Sequence, residues 1–194
     1  MQLSLVDSGA PRLDLRFSRA RRVALSPRSW IEHAPRWLGG HERVVEALAD
    51  RVAWQETVRP MYERTVRVPR LVARLDPARL PHPSLARARR ALEARYGVPL
   101  ASVGAAWYRH GGDSVAWHGD RVRDRDDSLV AILSLGTPRT LAIRPAGGGR
   151  ATRFSLGWGD LFVMGGATQR EFEHRVPKRA RADARMSVMF RWSA

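Results

Sequence analysis

The spacing of apolar residues changes character once along this chain, near residue 100. Before that point the periodicity is helical. In "HERVVEALADRVAW", starting at His41, Val44, Val45, Leu48 and Val52 fall on one face with the charges mostly opposite, and Trp54 is placed to anchor the end. "PSLARARRALEARYG" predicts a second helix, with Pro83 and Ser84 at its start, Leu85, Ala88 and Leu92 as its buried stripe, and Gly97 as its stop. Its arginines Arg87, Arg89, Arg90 and Arg95 are expected on a solvated face. Ahead of these helices, "RFSRARRVAL" and "HAPRWLGG" show no sustained period and read as an irregular covering layer. Beyond residue 100, "ASVGAAWY", "SLVAILSLG", "RTLAIR", "ATRFSLG", "DLFVMGG" and "ARMSVMFRW" are short runs rich in β-branched and aromatic residues, punctuated by Gly, Pro and Asp. They predict an antiparallel sandwich or barrel, with "PAGGGR" as a hairpin connection.

Composition narrows the chemistry. A chain of 194 residues supports one substantial core. Its 34 basic residues outnumber 19 acidic ones for a formal net charge of +15, so its surface should attract phosphates, acidic proteins or anionic membranes. Lys178 is the only lysine. With no cysteine there is no disulfide, thiolate metal site or cysteine nucleophile, and any protein-held metal must sit on His, Asp or Glu. The N-terminal stretch lacks a basic start followed by an apolar run, and no segment is long enough to span a bilayer, so the expectation is a soluble cytoplasmic protein.

One stretch has a composition that an ordinary core would not select: "AAWYRHGGDSVAWHGD", Ala105 to Asp120. Residues two apart on a strand project to the same side, so His118 and Asp120 can converge on one point, with Gly119 leaving the other side open. An imidazole and a carboxylate so placed suit a divalent metal, and two histidines with one carboxylate form the facial set of non-haem Fe(II) oxygenases. A second histidine is needed. His33, His41, His82 and His110 lie in N-terminal, helical or turn regions, whereas His174 follows the strand "DLFVMGG" and is the one well placed.

The last strand bears on that choice. In "RMSVMFRW", Arg185, Ser187, Met189 and Arg191 alternate with Met186, Val188, Phe190 and Trp192. If the greasy face packs on the helices, both arginines point inward, where an anionic ligand would offset the cost of burying them. The opposite orientation, an exposed edge with the arginines in water, stays open at this point.

Taken in order, "WYRHGGDSVAWHGD", "LSLGTPRT", "GDLFVMGGATQREFEHRVPK" and "RMSVMFR" resemble the AlkB family of Fe(II)- and 2-oxoglutarate-dependent dioxygenases. The resemblance runs from about Pro69 to the C-terminus, and weaker similarity in "VRPMYERTVRVPRL" matches the family's substrate-facing lid. It implies a mainly β fold, a double-stranded β-helix (jelly-roll, cupin-like) core with helices packed outside. Residues 1–68 would be the N-terminal extension and lid and 69–194 the core, in a single structural domain. It further implies that His118, Asp120 and His174 bind iron, that Tyr108 hydrogen-bonds 2-oxoglutarate, that Arg185 pairs with its distal carboxylate and that Arg191 lies near the metal end. Two positions depart from the family. Ala106 stands where an asparagine is common and Met189 where a threonine is common, and each loses a hydrogen-bonding side chain near the cosubstrate.

The implied activity is oxidative demethylation of alkylated bases in DNA or RNA, using Fe(II), 2-oxoglutarate and O2 and releasing formaldehyde, succinate and CO2. A target base must be single-stranded or flipped out, which calls for an apolar or aromatic pocket wall and basic backbone contacts. Tyr62 and Trp117 are the candidates for the wall, and Arg121, with Arg123, for phosphate contacts. A monomer is expected. The competing readings are a dioxygenase of the same fold acting on protein or small molecules, a non-catalytic basic nucleic-acid-binding module, and a cupin-like metal protein that does not use 2-oxoglutarate.

Overall fold

A computed structural model describes residues 9–61 and 64–193. In chain order the elements are β1 (Arg12–Leu13), β2 (Arg21–Ala24), β3 (Ser29–Ala34), β4 (Leu38–Gly39), α1 (Glu42–Arg51), β5 (Gln55–Met61), β6 (Arg64–Leu75) and α2 (Pro83–Tyr96). There follow β7 (Ser102–Tyr108), β8 (Val115–His118), β9 (Ser128–Gly136), β10 (Arg139–Pro145), β11 (Thr152–Leu156), β12 (Asp160–Gly166), α3 (Thr168–Glu171), β13 (Phe172–Val176) and β14 (Arg185–Ser193). An eight-stranded sheet has the order β2-β3-β12-β9-β14-β7-β6-β5, and a four-stranded sheet the order β11-β10-β13-β8. The pairings are antiparallel, and consecutive strands repeatedly cross between the sheets, as in a jelly roll.

Two apolar layers hold this arrangement. On the outer face of the large sheet, Val44, Val45 and Leu48 of α1 and Leu85, Ala88 and Leu92 of α2 pack with Val103, Leu133, Val163, Met186, Val188 and Phe190. Between the sheets, Ile31, Val130, Ile132, Phe162 and Met164 meet Leu141, Ile143 and Leu156. Strand β9 contributes to both layers, which explains why "SLVAILSLG" reads as a continuous apolar run rather than an alternating one.

The helices begin and end where their sequence signals stand. In α2 the Ser84 N–H donates to His82 Nδ1 at 3.1 Å, and Gly97 closes the helix with a left-handed φ of 70°. Trp54 anchors the end of α1, its indole N–H donating to the Leu48 carbonyl at 3.1 Å. "PAGGGR" does turn β10 back into β11.

The N-terminal region is more regular than its sequence predicts. Strand β3 pairs with β12 across six positions, from Ala34↔Leu161 to Ser29↔Gly166, and β2 pairs beside it. The polar Glu32 and His33 in "SWIEHA" hide that period. Glu32 is 4% exposed, held by Arg95 (Nη2 2.8 Å), Arg22 (Nε 3.0 Å) and the Tyr96 hydroxyl (2.8 Å). Arg95 therefore ties α2 to the N-terminal strands rather than serving only a solvated face. Among the described residues, no helix is long and apolar enough to cross a membrane.

Candidate functional site

Strands β8 and β13 set His118 directly opposite His174, with ring centroids 4.3 Å apart. The ladder slips beside this pair. Val115 faces Val176, so three steps on β8 oppose two on β13, and the irregularity lets Val115 and His118 line the same cavity despite their odd spacing. Asp120 follows two residues after His118. Its Oδ1 lies 3.6 Å from His118 Nε2 and 3.8 Å from His174 Nε2, and one donor atom from each of the three falls within 4.8 Å of the others.

Neighbouring groups fix two of the donors, His118 and Asp120. The Ala116 carbonyl lies 2.9 Å from His118 Nδ1, and because a carbonyl only accepts, Nδ1 carries the proton and Nε2 is left with a lone pair. The Asp120 N–H donates to Gln169 Oε1 at 2.7 Å, and Arg191 Nε donates to Asp120 Oδ2 at 2.7 Å, leaving Oδ1 toward the imidazoles. Gly119 is sterically required, since a Cβ there would lie 2.5 Å from the Arg125 guanidinium and 2.6 Å from the Gln169 carbonyl.

Electrostatics prepares these groups for a cation. Burial, together with the charge on its neighbour His118, pushes the His174 pKa down to about 3, and burial lowers that of His118 as well. Burial alone would raise the Asp120 carboxyl, but Arg191 and the two histidines pull it down to about 2. Two neutral imidazoles beside an ionised carboxylate fit a divalent metal that keeps open coordination positions.

The cavity extends from this triad to Tyr108 and Arg185, and is lined also by Arg70, Ala106, Ile132, Ser187, Met189 and Arg191. The greasy face of β14 packs on the helices, so Arg185 and Arg191 point inward. Arg185 is 1% exposed. Its Nη2 donates to Ser134 Oγ at 2.7 Å, its Nε has no partner, and burial lowers its pKa. Arg70, Arg139 and Arg185 surround Tyr108, with guanidinium carbons 5.9, 5.8 and 5.4 Å from the ring centre. Arg139 is enclosed behind the ring, its fork donating to the carbonyls of His110, Asp113 and Pro177. Among the described residues that line the cavity, Asp120 is the only carboxylate, and Arg191 already holds it. The far end thus presents cations without a protein anion, an environment that fits a small dianion.

Six of the residues singled out from sequence meet here: His118, Asp120, His174, Tyr108, Arg185 and Arg191. Three do not. Trp117 points to the opposite face of β8, where Arg144 and Arg175 lie 4.1 and 4.5 Å from its ring, because a residue adjacent to an inward histidine faces outward. Arg121 is exposed on the loop after Asp120, away from the cavity lining, and Tyr62 lies outside the described residues. Arg70, Ser134, Arg139 and Gln169 went unsingled in the sequence. They sit in unremarkable contexts, and their partners come from distant strands.

The model of the 2OG-Fe(II) oxygenase superfamily matches residues 17–191. The alpha-ketoglutarate-dependent dioxygenase alkB homolog 3 of Homo sapiens is 29% identical over 171 residues, covering 76% of this chain and 60% of its own length. The Rattus norvegicus homologue is 30% identical over 171 residues, covering 76% and 58%. The chain thus spans about 60% of the length of these curated relatives. Among solved structures, OsALKBH1 superposes with a TM-score of 0.59 at 12% identity, covering 89% of this chain and 100% of that one. A 2OG-Fe(II) oxygenase family protein from Burkholderia pseudomallei gives 0.53 at 18% identity, covering 77% of each chain. At such identities the likeness is one of fold.

Proposed function

The chain belongs to the 2OG-Fe(II) oxygenase superfamily, and on that premise we propose that it demethylates alkylated bases in DNA or RNA oxidatively. The observation that carries the reading is the convergence of His118, Asp120 and His174 at one end of a cavity whose other end is cationic. The AlkB resemblance, the relatives named as AlkB homologues and the net charge of +15 support nucleic acid as the substrate.

His118 Nε2, Asp120 Oδ1 and a ring nitrogen of His174 would hold Fe(II). Tyr108 and Arg185 would receive the distal carboxylate of 2-oxoglutarate. Bound there, iron and cosubstrate supply O2 activation coupled to decarboxylation, so that an N-methyl group is hydroxylated and lost as formaldehyde while succinate and CO2 form. The protein's own work is positional. Arg191 keeps Asp120 ionised and oriented, Gln169 fixes the backbone beneath it, and Ile132, Met189 and Val115 exclude water from the chamber. Residues 1–68 are assigned the extension and lid and 69–194 the catalytic core. The enzyme acts as a cytoplasmic monomer on a single-stranded or flipped base.

The test is incubation with Fe(II), 2-oxoglutarate, air and methylated single-stranded DNA or RNA. Formaldehyde release and loss of the methyl group by mass spectrometry are expected, and His118→Ala should abolish both. Succinate formation stimulated by a protein or small molecule, with every alkylated oligonucleotide untouched, would remove the nucleic-acid reading.

A further inference from the structure

Arg70 lines the cavity from β6, at the edge facing β8, where the Ser114 N–H donates to the neighbouring Pro69 carbonyl at 2.7 Å. Its Nη1 donates to the Tyr108 hydroxyl at 3.0 Å, while its Nε is buried with no partner among the described residues. A guanidinium has no acceptor, so the Tyr108 oxygen must accept this bond and its own proton is left to donate elsewhere. The Nε of Arg185, beside the same ring, also lacks a partner. Three hydrogen-bond donors around the Tyr108 ring are therefore left without an acceptor among the described residues: Arg70 Nε, the Tyr108 hydroxyl and Arg185 Nε.

An anion held among these side chains would supply acceptors they lack, and leaving such donors buried and unmet is costly. The position has a further reason to matter in this chain. Ala106 faces Val72 across the β6–β7 ladder and has no polar side chain, whereas Arg70, two residues earlier on β6, reaches the same chamber.

We propose that Arg70 is a third cosubstrate-binding residue, which grips the distal carboxylate of 2-oxoglutarate together with Arg185 and holds Tyr108 in its donating orientation. This rests on the cosubstrate assignment of the preceding section and is independent of nucleic acid as the substrate.

The test is anaerobic calorimetric titration of the Fe(II)-loaded protein with 2-oxoglutarate, and separately with 2-oxobutyrate, which lacks the second carboxylate. Arg70→Gln is expected to weaken 2-oxoglutarate binding by roughly tenfold or more. Affinity for 2-oxobutyrate and for the metal should be unchanged. Arg70→Lys, which keeps the charge and loses the fork, should fall between. Tyr108→Phe should weaken binding too, with the double variant losing less than the product of the single effects. An unchanged 2-oxoglutarate affinity in Arg70→Gln would overturn the proposal, as would equal weakening of both oxo acids, the mark of a merely structural residue. Selective loss of 2-oxoglutarate binding in a protein that leaves every alkylated oligonucleotide untouched would sustain it while removing the nucleic-acid reading.

Discussion

Of the three converging donors, Asp120 is held by two side chains, Arg191 and Gln169, that can be removed separately. Replacing His118, Asp120 or His174 by alanine should lower Fe(II) affinity by more than about a hundredfold, measured by metal-competition titration, with the fold retained. Gln169→Leu acts one step back. It leaves the Asp120 N–H without its acceptor, and should cost about 1–3 kcal/mol in urea unfolding and about tenfold or more in metal affinity. The legibility of these residues in the sequence differed for physical reasons. His118 and Asp120 could be read from their two-residue spacing, although β8 ends at His118 and it is Gln169 and Arg191 that hold Asp120 toward the same point. Strand alternation turns Trp117 away, so that signal was present and pointed against its use as a pocket wall. Gln169 and Arg70 could not be read, because each acts through a contact 49 or 38 positions distant, and no local pattern encodes such a contact.

At the scale of elements, Glu32 links β3, β2 and α2 through Arg22, Arg95 and Tyr96. Burial alone would raise its pKa, but these hydrogen bonds and charges outweigh it and hold the group below its ordinary value of 4.5. A carboxyl lowered in the folded state stabilises fully above its unfolded value and ceases to do so as pH falls through the folded one. Stability should therefore decline below about pH 4.5, and Glu32→Gln should flatten that limb of a plot of urea midpoint against pH. The ends of α2 were legible because Pro83 and Gly97 punctuate them. Strand β3 was not, because its buried glutamate breaks the apolar alternation and is explained only by partners on a helix about 60 residues later. Sheet order was equally hidden, since β12 lies between β3 and β9 by long-range pairing.

For the whole molecule, the net charge of +15 predicts salt-sensitive binding to oligonucleotides, with affinity falling steeply as salt is raised in fluorescence-anisotropy titrations. Arg139 and Arg185 are enclosed and should add nothing to that slope. Ligands that enter the chamber should register as stability instead. 2-Oxoglutarate at about one hundred times its Kd should add about 2.7 kcal/mol, a rise of roughly 5–10 °C in Tm by differential scanning calorimetry. The cluster of guanidinium groups around Tyr108 has one more consequence for the proposed reaction. Decarboxylation alters the oxo-acid end of the cosubstrate and spares the carboxylate held at the floor, so the spent succinate retains the handle by which its parent was caught. Added succinate should therefore compete with fresh cosubstrate for the same floor, an inhibition that excess 2-oxoglutarate relieves in a turnover assay.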